Sequence, residues 1–177
     1  MTRGGKYVID SMIVIWAIKK EGEDQKQQEA MSFLRGIDRI GAELYFAAPI
    51  LTEILSPYKH DSERRNELIS DITQHYKILP FDFKSSLEAA DLINQYGKDP
   101  ELRAILENET GQYHNLSTKL KFDIQIVSCA IAHKMDGIIS EEKNAIKTYA
   151  SGRIPIFSMN EFIFDGTSGL FLIPKNG

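Results

Sequence analysis

Short β-favouring runs alternate with helical runs along almost the whole chain, and that alternation restricts the possible folds more than any other feature. Tyr7-Val8-Ile9, Leu44-Tyr45-Phe46-Ala47, Lys77-Ile78-Leu79, Ile138-Ile139 and Ile154 to Phe157 read as strands. Between them Met12 to Lys20 reads as a buried helix. Asp24 to Ile40 reads as an amphipathic one, with Ala30, Phe33, Leu34, Ile37 and Ile40 at helical spacing. Pro49 suits the first turn of a helix over Ile50 to Leu55 that carries Glu53, and Asp61 or Ser62 opens another to about His75. Helices are also predicted over Ser85 to Tyr96, over Ile124 to Met135 with Asp123 at its start, and over Lys143 to Ala150, with a helical turn near Asn160 to Phe162. Strands that alternate with helices imply an α/β fold: a mainly parallel sheet covered on both faces, with ligands beyond the carboxyl ends of the strands.

A chain of 177 residues fits one domain, because a typical domain has roughly 150. The whole of 1–177 is expected to be that domain, with a core of about 6–162 and a tail of 163–177 that has turn chemistry at Asp165-Gly166 and Ser168-Gly169. Apolar residues at 42% and charged residues at 26% exclude a disordered chain. The net charge of −4 excludes a global positive field, so any nucleic-acid contact must come from a local patch or a metal. The lone Cys129 forms no intramolecular disulfide, the N-terminus lacks a signal-peptide core, and the longest strictly apolar run, Met12 to Ile18, is too short to span a bilayer. The expectation is a cytoplasmic protein without membrane contact.

The acids fall where such a sheet gathers ligands. Asp10 ends the first strand, Glu53 follows the second, Asp123 opens a buried helix, and Glu141-Glu142 follow Ile138-Ile139. Carboxylates that converge on one rim repel each other unless a hard cation such as Mg²⁺ or Mn²⁺ compensates them, and a metal of that kind suits phosphodiester cleavage. Taken singly, each acid also has a plainer reading. Asp10 and Asp123 can cap helices, Glu141-Glu142 can be first-turn acids, and Glu53 can be a surface residue, although Leu51, Ile54 and Leu55 surround it with apolar neighbours. Cys129 and His133 lie four residues apart but lack a second pair of zinc ligands. No glycine follows the first strand to cradle a dinucleotide, and Met12 stands where a haloacid-dehalogenase-like phosphatase needs a second Asp.

Val8-Ile9-Asp10-Ser11, Pro49 through Glu53 to Leu55, Lys121-Phe122-Asp123-Ile124-Gln125-Ile126-Val127 and Ile138-Ile139-Ser140-Glu141-Glu142 together resemble the PIN-domain nucleases. That family includes the toxins of bacterial type II VapBC toxin–antitoxin systems. The resemblance runs from about Lys6 to Phe162 and rests on the order and spacing of the motifs. It implies a three-layer α/β/α sandwich around a central parallel sheet, and metal-dependent cleavage of single-stranded RNA with Mg²⁺ or Mn²⁺ as cofactor. By resemblance, Asp10, Glu53 and Asp123 are the first three acids, Glu142 or Glu141 is the fourth, and Ser140 is the hydroxyl residue beside it. Ser11, Ser140, Lys119 and Lys121 are the candidate substrate contacts. A small antitoxin and a second copy of the chain are the implied protein partners.

The chain departs from the family pattern in three places. Met12 replaces a small polar residue, a Glu replaces the usual Asp at the fourth acid, and the polar stretch Lys98 to Thr118 is longer than in the smallest members. The alternative readings are a nuclease of this type in RNA maturation or phage defence, and a non-catalytic binding or dimerisation module that would use the acids as caps.

Overall fold

The structure, a computed structural model, describes residues 4–19, 22–96, 116–141, 143–150 and 152–162. All but the last three residues of the polar stretch Lys98 to Thr118, and the whole 163–177 tail, lie outside these residues. Strand β1 (Lys6–Ile9) leads into α1 (Ser11–Val14), which widens at once into a π-helical turn over Ile15–Lys19. Then follow α2 (Asp24–Arg39), β2 (Glu43–Ala47), α3 (Ala48–Leu55), a 3₁₀ turn (Ser56–Tyr58), α4 (Ser62–His75), β3 (Lys77–Leu79) and α5 (Phe83–Tyr96). The remaining elements are α6 (Leu116–Ala132), β4 (Gly137–Ile139), α7 (Lys143–Ala150), β5 (Ile156–Phe157) and a 3₁₀ turn (Met159–Glu161).

Local chemistry accounts for most of these boundaries. Asp61 caps α4 by accepting the Arg64 N–H at 3.0 Å, and Pro49 occupies the first turn of α3, where no intrahelical donor is needed. Gly41, with φ +65°, turns α2 into β2 in a conformation that a side chain would strain. Gly137 opens β4 because a Cβ there would stand 2.5 Å from the Phe157 ring.

The five strands form one sheet in the order β3-β2-β1-β4-β5, with every pair parallel. Val8, Ile9, Phe46, Ala47, Ile138 and Ile139 are fully buried, as residues of a sheet covered on both faces must be. Ile13, Phe33, Ile37, Ile50, Ile54, Leu92, Val127 and Tyr149 fill the core between the sheet and its helices. This is the expected α/β/α arrangement. Among the described residues no helix is long and apolar enough to cross a membrane.

Most boundaries shift by a residue or two from the sequence expectation, and three elements differ in a way that bears on the argument. The helix predicted from Ile124 to Met135 starts at Leu116 and ends at Ala132, so Asp123 lies in its interior rather than at its cap. The helix predicted over Met12 to Lys20 changes to π geometry at Ile15, and the last strand begins at Ile156 rather than Ile154, which is buried beside it.

Candidate metal-binding rim

Strand register decides which residues meet at the carboxyl edge of the sheet. Ile9 pairs with Ile139, and Ile139 pairs with Phe157, so the next residues along, Asp10, Ser140 and Ser158, form a row across the rim. The Asp10 N–H continues the ladder by donating to the Ile139 carbonyl at 3.0 Å, and the Ser140 N–H donates to that of Phe157 at 2.8 Å. On the other side Val8 pairs with Tyr45, which brings the end of β2, and hence the entry to α3, to the same edge.

Asp10 is only 5% exposed, yet its carboxylate is well supplied with donors. Oδ1 accepts the Ser11 N–H at 2.6 Å and the Ser11 hydroxyl at 3.3 Å, while Oδ2 accepts the hydroxyl of the fully buried Ser140 at 2.7 Å. The residue therefore does cap α1, as the plainer reading allows. A cap alone does not account for Ser140, which follows β4, 130 positions away, and fixes the second oxygen.

Asp123 is 8% exposed inside a 17-residue helix. Aspartate is a poor former of helix interiors, and a buried carboxylate costs free energy unless its surroundings compensate it. Neither helix formation nor capping explains this residue. Helix α6 packs against β1, β4 and α3, the elements that lead to Asp10, lead to Ser140 and carry Glu53. Glu53 itself is exposed on α3. Glu141 is half-buried, and its Oε1 accepts the Met159 N–H at 2.8 Å, which ties it to the turn after β5. Glu142 lies outside the described residues. Lys119 and Lys121 lie on α6 within the four residues before Asp123.

Among the described residues no three of the His, Cys, Asp and Glu side chains form a group able to hold a metal. The rim thus joins Asp10 to Ser11 and Ser140 directly, and sets Asp123, Glu53 and Glu141 on neighbouring elements. Carboxylate oxygens are hard donors of the kind that Mg²⁺ and Mn²⁺ take, unlike the thiolates that softer ions seek. Cys129 is buried and burial pushes its thiol up to about 11, while His133 Nε2 lies 3.2 Å from the Pro80 carbonyl; both residues anchor α6 to the segment between β3 and α5.

Sequence reasoning passed over Ser158, although Ser158 and Glu161 show the spacing of a capping box and the structure forms one. A hollow of about 390 Å³ adjoins this turn and Glu141, while a larger one of about 570 Å³ lies at the opposite edge, beside Ala42, Leu44 and His75. The larger hollow includes none of the rim residues, and the strands begin there rather than end.

Comparison with known proteins bears on the same architecture. The family model of the PIN domain matches residues 7–150. Among solved structures, one similar chain is that of the crystal structure of VapBC2 from Rickettsia felis bound to a DNA fragment from their promoter. It is 15% identical, with 86% of this chain and 98% of that chain covered and a TM-score of 0.53, a likeness of fold. No curated protein matches the chain.

Proposed function

Because the chain belongs to the PIN-domain family, a family of nucleases, we propose that it is a metal-dependent endoribonuclease that cuts single-stranded RNA and serves as the toxin of a type II toxin–antitoxin pair. One observation carries this reading: the nearly buried Asp10 at the carboxyl edge of the sheet is gripped by a serine from the segment after another strand, and a second nearly buried aspartate, Asp123, lies inside the helix that packs against both of those strands. In this reading Asp10, Glu53, Asp123 and Glu142 hold Mg²⁺ or Mn²⁺. A divalent ion there supplies the charge compensation and the acidified water that phosphodiester hydrolysis requires. Ser140 and Ser11 hold the Asp10 carboxylate still, so that its oxygens are already placed when the ion and the substrate arrive. Lys119 and Lys121, next to Asp123, supply phosphate contacts that the net charge of −4 does not.

The toxin role is supported by the similarity to a VapBC2 chain, and the acidic rim favours a small antitoxin that offers a basic residue to it. A homodimer is supported by α5, where Phe83 and Leu87, one helical turn apart, are 76% and 53% exposed. The direct test is cleavage of single-stranded RNA by purified protein. Cleavage is expected only with a divalent ion, and is expected to vanish in Asp10→Asn and Asp123→Asn. Cleavage that resists EDTA and survives both substitutions overturns the reading. Co-expression with each small flanking gene separates toxin from housekeeping or defence roles, since a toxin is expected to co-purify with one neighbour that relieves growth arrest.

A further inference from the structure

The hollow of about 390 Å³ lies on the same rim as Asp10, on the β5 side. Helix α2 runs toward the start of β2, against the strand direction, so its N-terminal half stands near the carboxyl edge of the sheet. It contributes Lys26, Glu29 and Phe33 to the hollow, and the segments after β4 and β5 contribute Glu141, Asn160 and Phe162. The register row places Ser158 two strand spacings from Asp10, roughly 10 Å. The hollow is therefore close to the proposed reaction centre but separate from it.

Its walls differ in chemistry. Phe33 and Phe162, 3% and 5% exposed, meet edge to face at 5.5 Å and form an apolar base. Glu141 is anchored through Oε1 by the Met159 N–H, and among the described residues Met159 is the one donor to that carboxylate. Glu141 thus brings to the lining a carboxylate with acceptor capacity beyond that one bond. Asn160 accepts the Ser158 hydroxyl through Oδ1, which directs its amide NH₂ away from Ser158. Lys26, bonded to Glu29 at 3.2 Å and set over the Trp16 ring at 5.6 Å, keeps a cation at the mouth.

We propose that this hollow is a nucleobase subsite of the nuclease read above, which takes one splayed base of single-stranded RNA next to the cut and prefers guanine. Sequence-specific recognition of single-stranded RNA works by splaying bases onto apolar surfaces and reading their edges. A carboxylate only accepts hydrogen bonds. Guanine presents two donors, N1–H and the 2-amino group, on one edge and matches such an acceptor. Uracil presents one N–H between two carbonyls, and those carbonyls are repelled. Glu141 is then the specificity-determining residue, and Lys26 offsets the phosphate charge against Glu29.

This inference rests on the nuclease reading for its purpose, but its test does not need cleavage. Binding of guanosine and uridine 5′-monophosphates to the full chain is measured by calorimetry in metal-free buffer. The guanine nucleotide is expected to bind about tenfold tighter, and Glu141→Gln is expected to erase that difference. The substitution keeps a carbonyl to accept the Met159 N–H and turns the second acceptor into a donor. Ser32→Trp, an exposed position on α2 that also lines the hollow, is expected to abolish binding of both nucleotides by filling it. Equal affinity for the two nucleotides, a guanine preference that survives Glu141→Gln, or binding indifferent to Ser32→Trp each overturns the subsite. A protein that discriminates the nucleotides yet never cleaves RNA retains the subsite and refutes the nuclease reading, whereas a cleaving protein without discrimination does the reverse.

Discussion

Asp10 shows how one residue can serve two purposes without conflict. Its Oδ1 caps α1 through the Ser11 N–H, a local contact that any strand-to-helix turn can use, while Oδ2 is reached by the Ser140 hydroxyl just after β4. A hydrogen bond to a charged group contributes about 1.5–3 kcal/mol, and here the carboxylate is nearly buried. Ser140→Ala removes one of the three donors to Asp10 among the described residues and leaves the two from Ser11. We expect a loss of about 1.5 kcal/mol, or a melting temperature lower by roughly 3–6 °C for a chain of this size, in EDTA. Thermal denaturation measures it, and an unchanged melting point would show that the Ser140 contact does not hold Asp10. The same variant is expected to weaken Mn²⁺ binding, because a carboxylate free to turn pays an ordering cost on binding that a fixed one does not.

At the scale of elements, the alternation of strands and helices was legible because periodicity switches sharply at Gly22, Gly41, Pro57, Pro80 and Gly137. The neighbour order was not. β4 lies beside β1 although about 130 residues separate them, and only that pairing puts Ser140 against Asp10. The start of α6 was misplaced for a related reason. An aspartate before an apolar run is the usual mark of a helix start, and that mark outweighed Leu116 and Leu120, which continue the spacing of Ile124 and Val127 backward through an otherwise polar stretch. The π turn after α1 leaves no mark over five residues, because a shift in hydrogen-bond partner changes spacing too little to be read. One sheet edge also yields a pH prediction. Glu43 on β2 accepts from Lys77 of β3 at 2.8 Å and from the Tyr45 hydroxyl at 2.6 Å, and these bonds, that of Lys77 first, hold its carboxyl down at about 2. A carboxyl depressed in the folded state contributes stability that is present above its ordinary value of 4.5 and is lost as pH falls toward about 2. Both partners are well exposed, so the contribution is small and salt-sensitive. A carboxyl carbon titration by NMR is expected to place the Glu43 midpoint near 2, and Lys77→Met is expected to move it up; a midpoint at 4.5 in the parent would show that the pair does not persist in solution.

For the whole molecule, the proposed function makes the two aspartates set stability and activity against each other. On the proposed reading, carboxylates that share one metal site repel when no cation is present, so the metal-free protein is expected to be less stable than one with fewer charges there. Asp10→Asn still caps α1 through its carbonyl oxygen and can donate its amide to the Ser140 oxygen, so it loses charge without losing shape. Asp10→Asn and Asp123→Asn are therefore expected to melt no lower than the parent in EDTA, while cleavage disappears. Addition of Mn²⁺ reverses the ranking, because a ligand that binds only the folded state at about one hundred times its Kd stabilises it by about 2.7 kcal/mol. For a chain of this length that corresponds to a rise of roughly 5–10 °C in the parent. The two variants, each short of one ligand, are expected to show a rise well below that. Thermal melts of the three proteins with EDTA and with Mn²⁺ form a complete test, because the sign of the variant-minus-parent difference must change between the two conditions. If the parent ignores Mn²⁺ and both variants melt below it in EDTA, the carboxylates are caps that hold α1 and α6 in place, and a binding or dimerisation module replaces the nuclease as the reading of this rim.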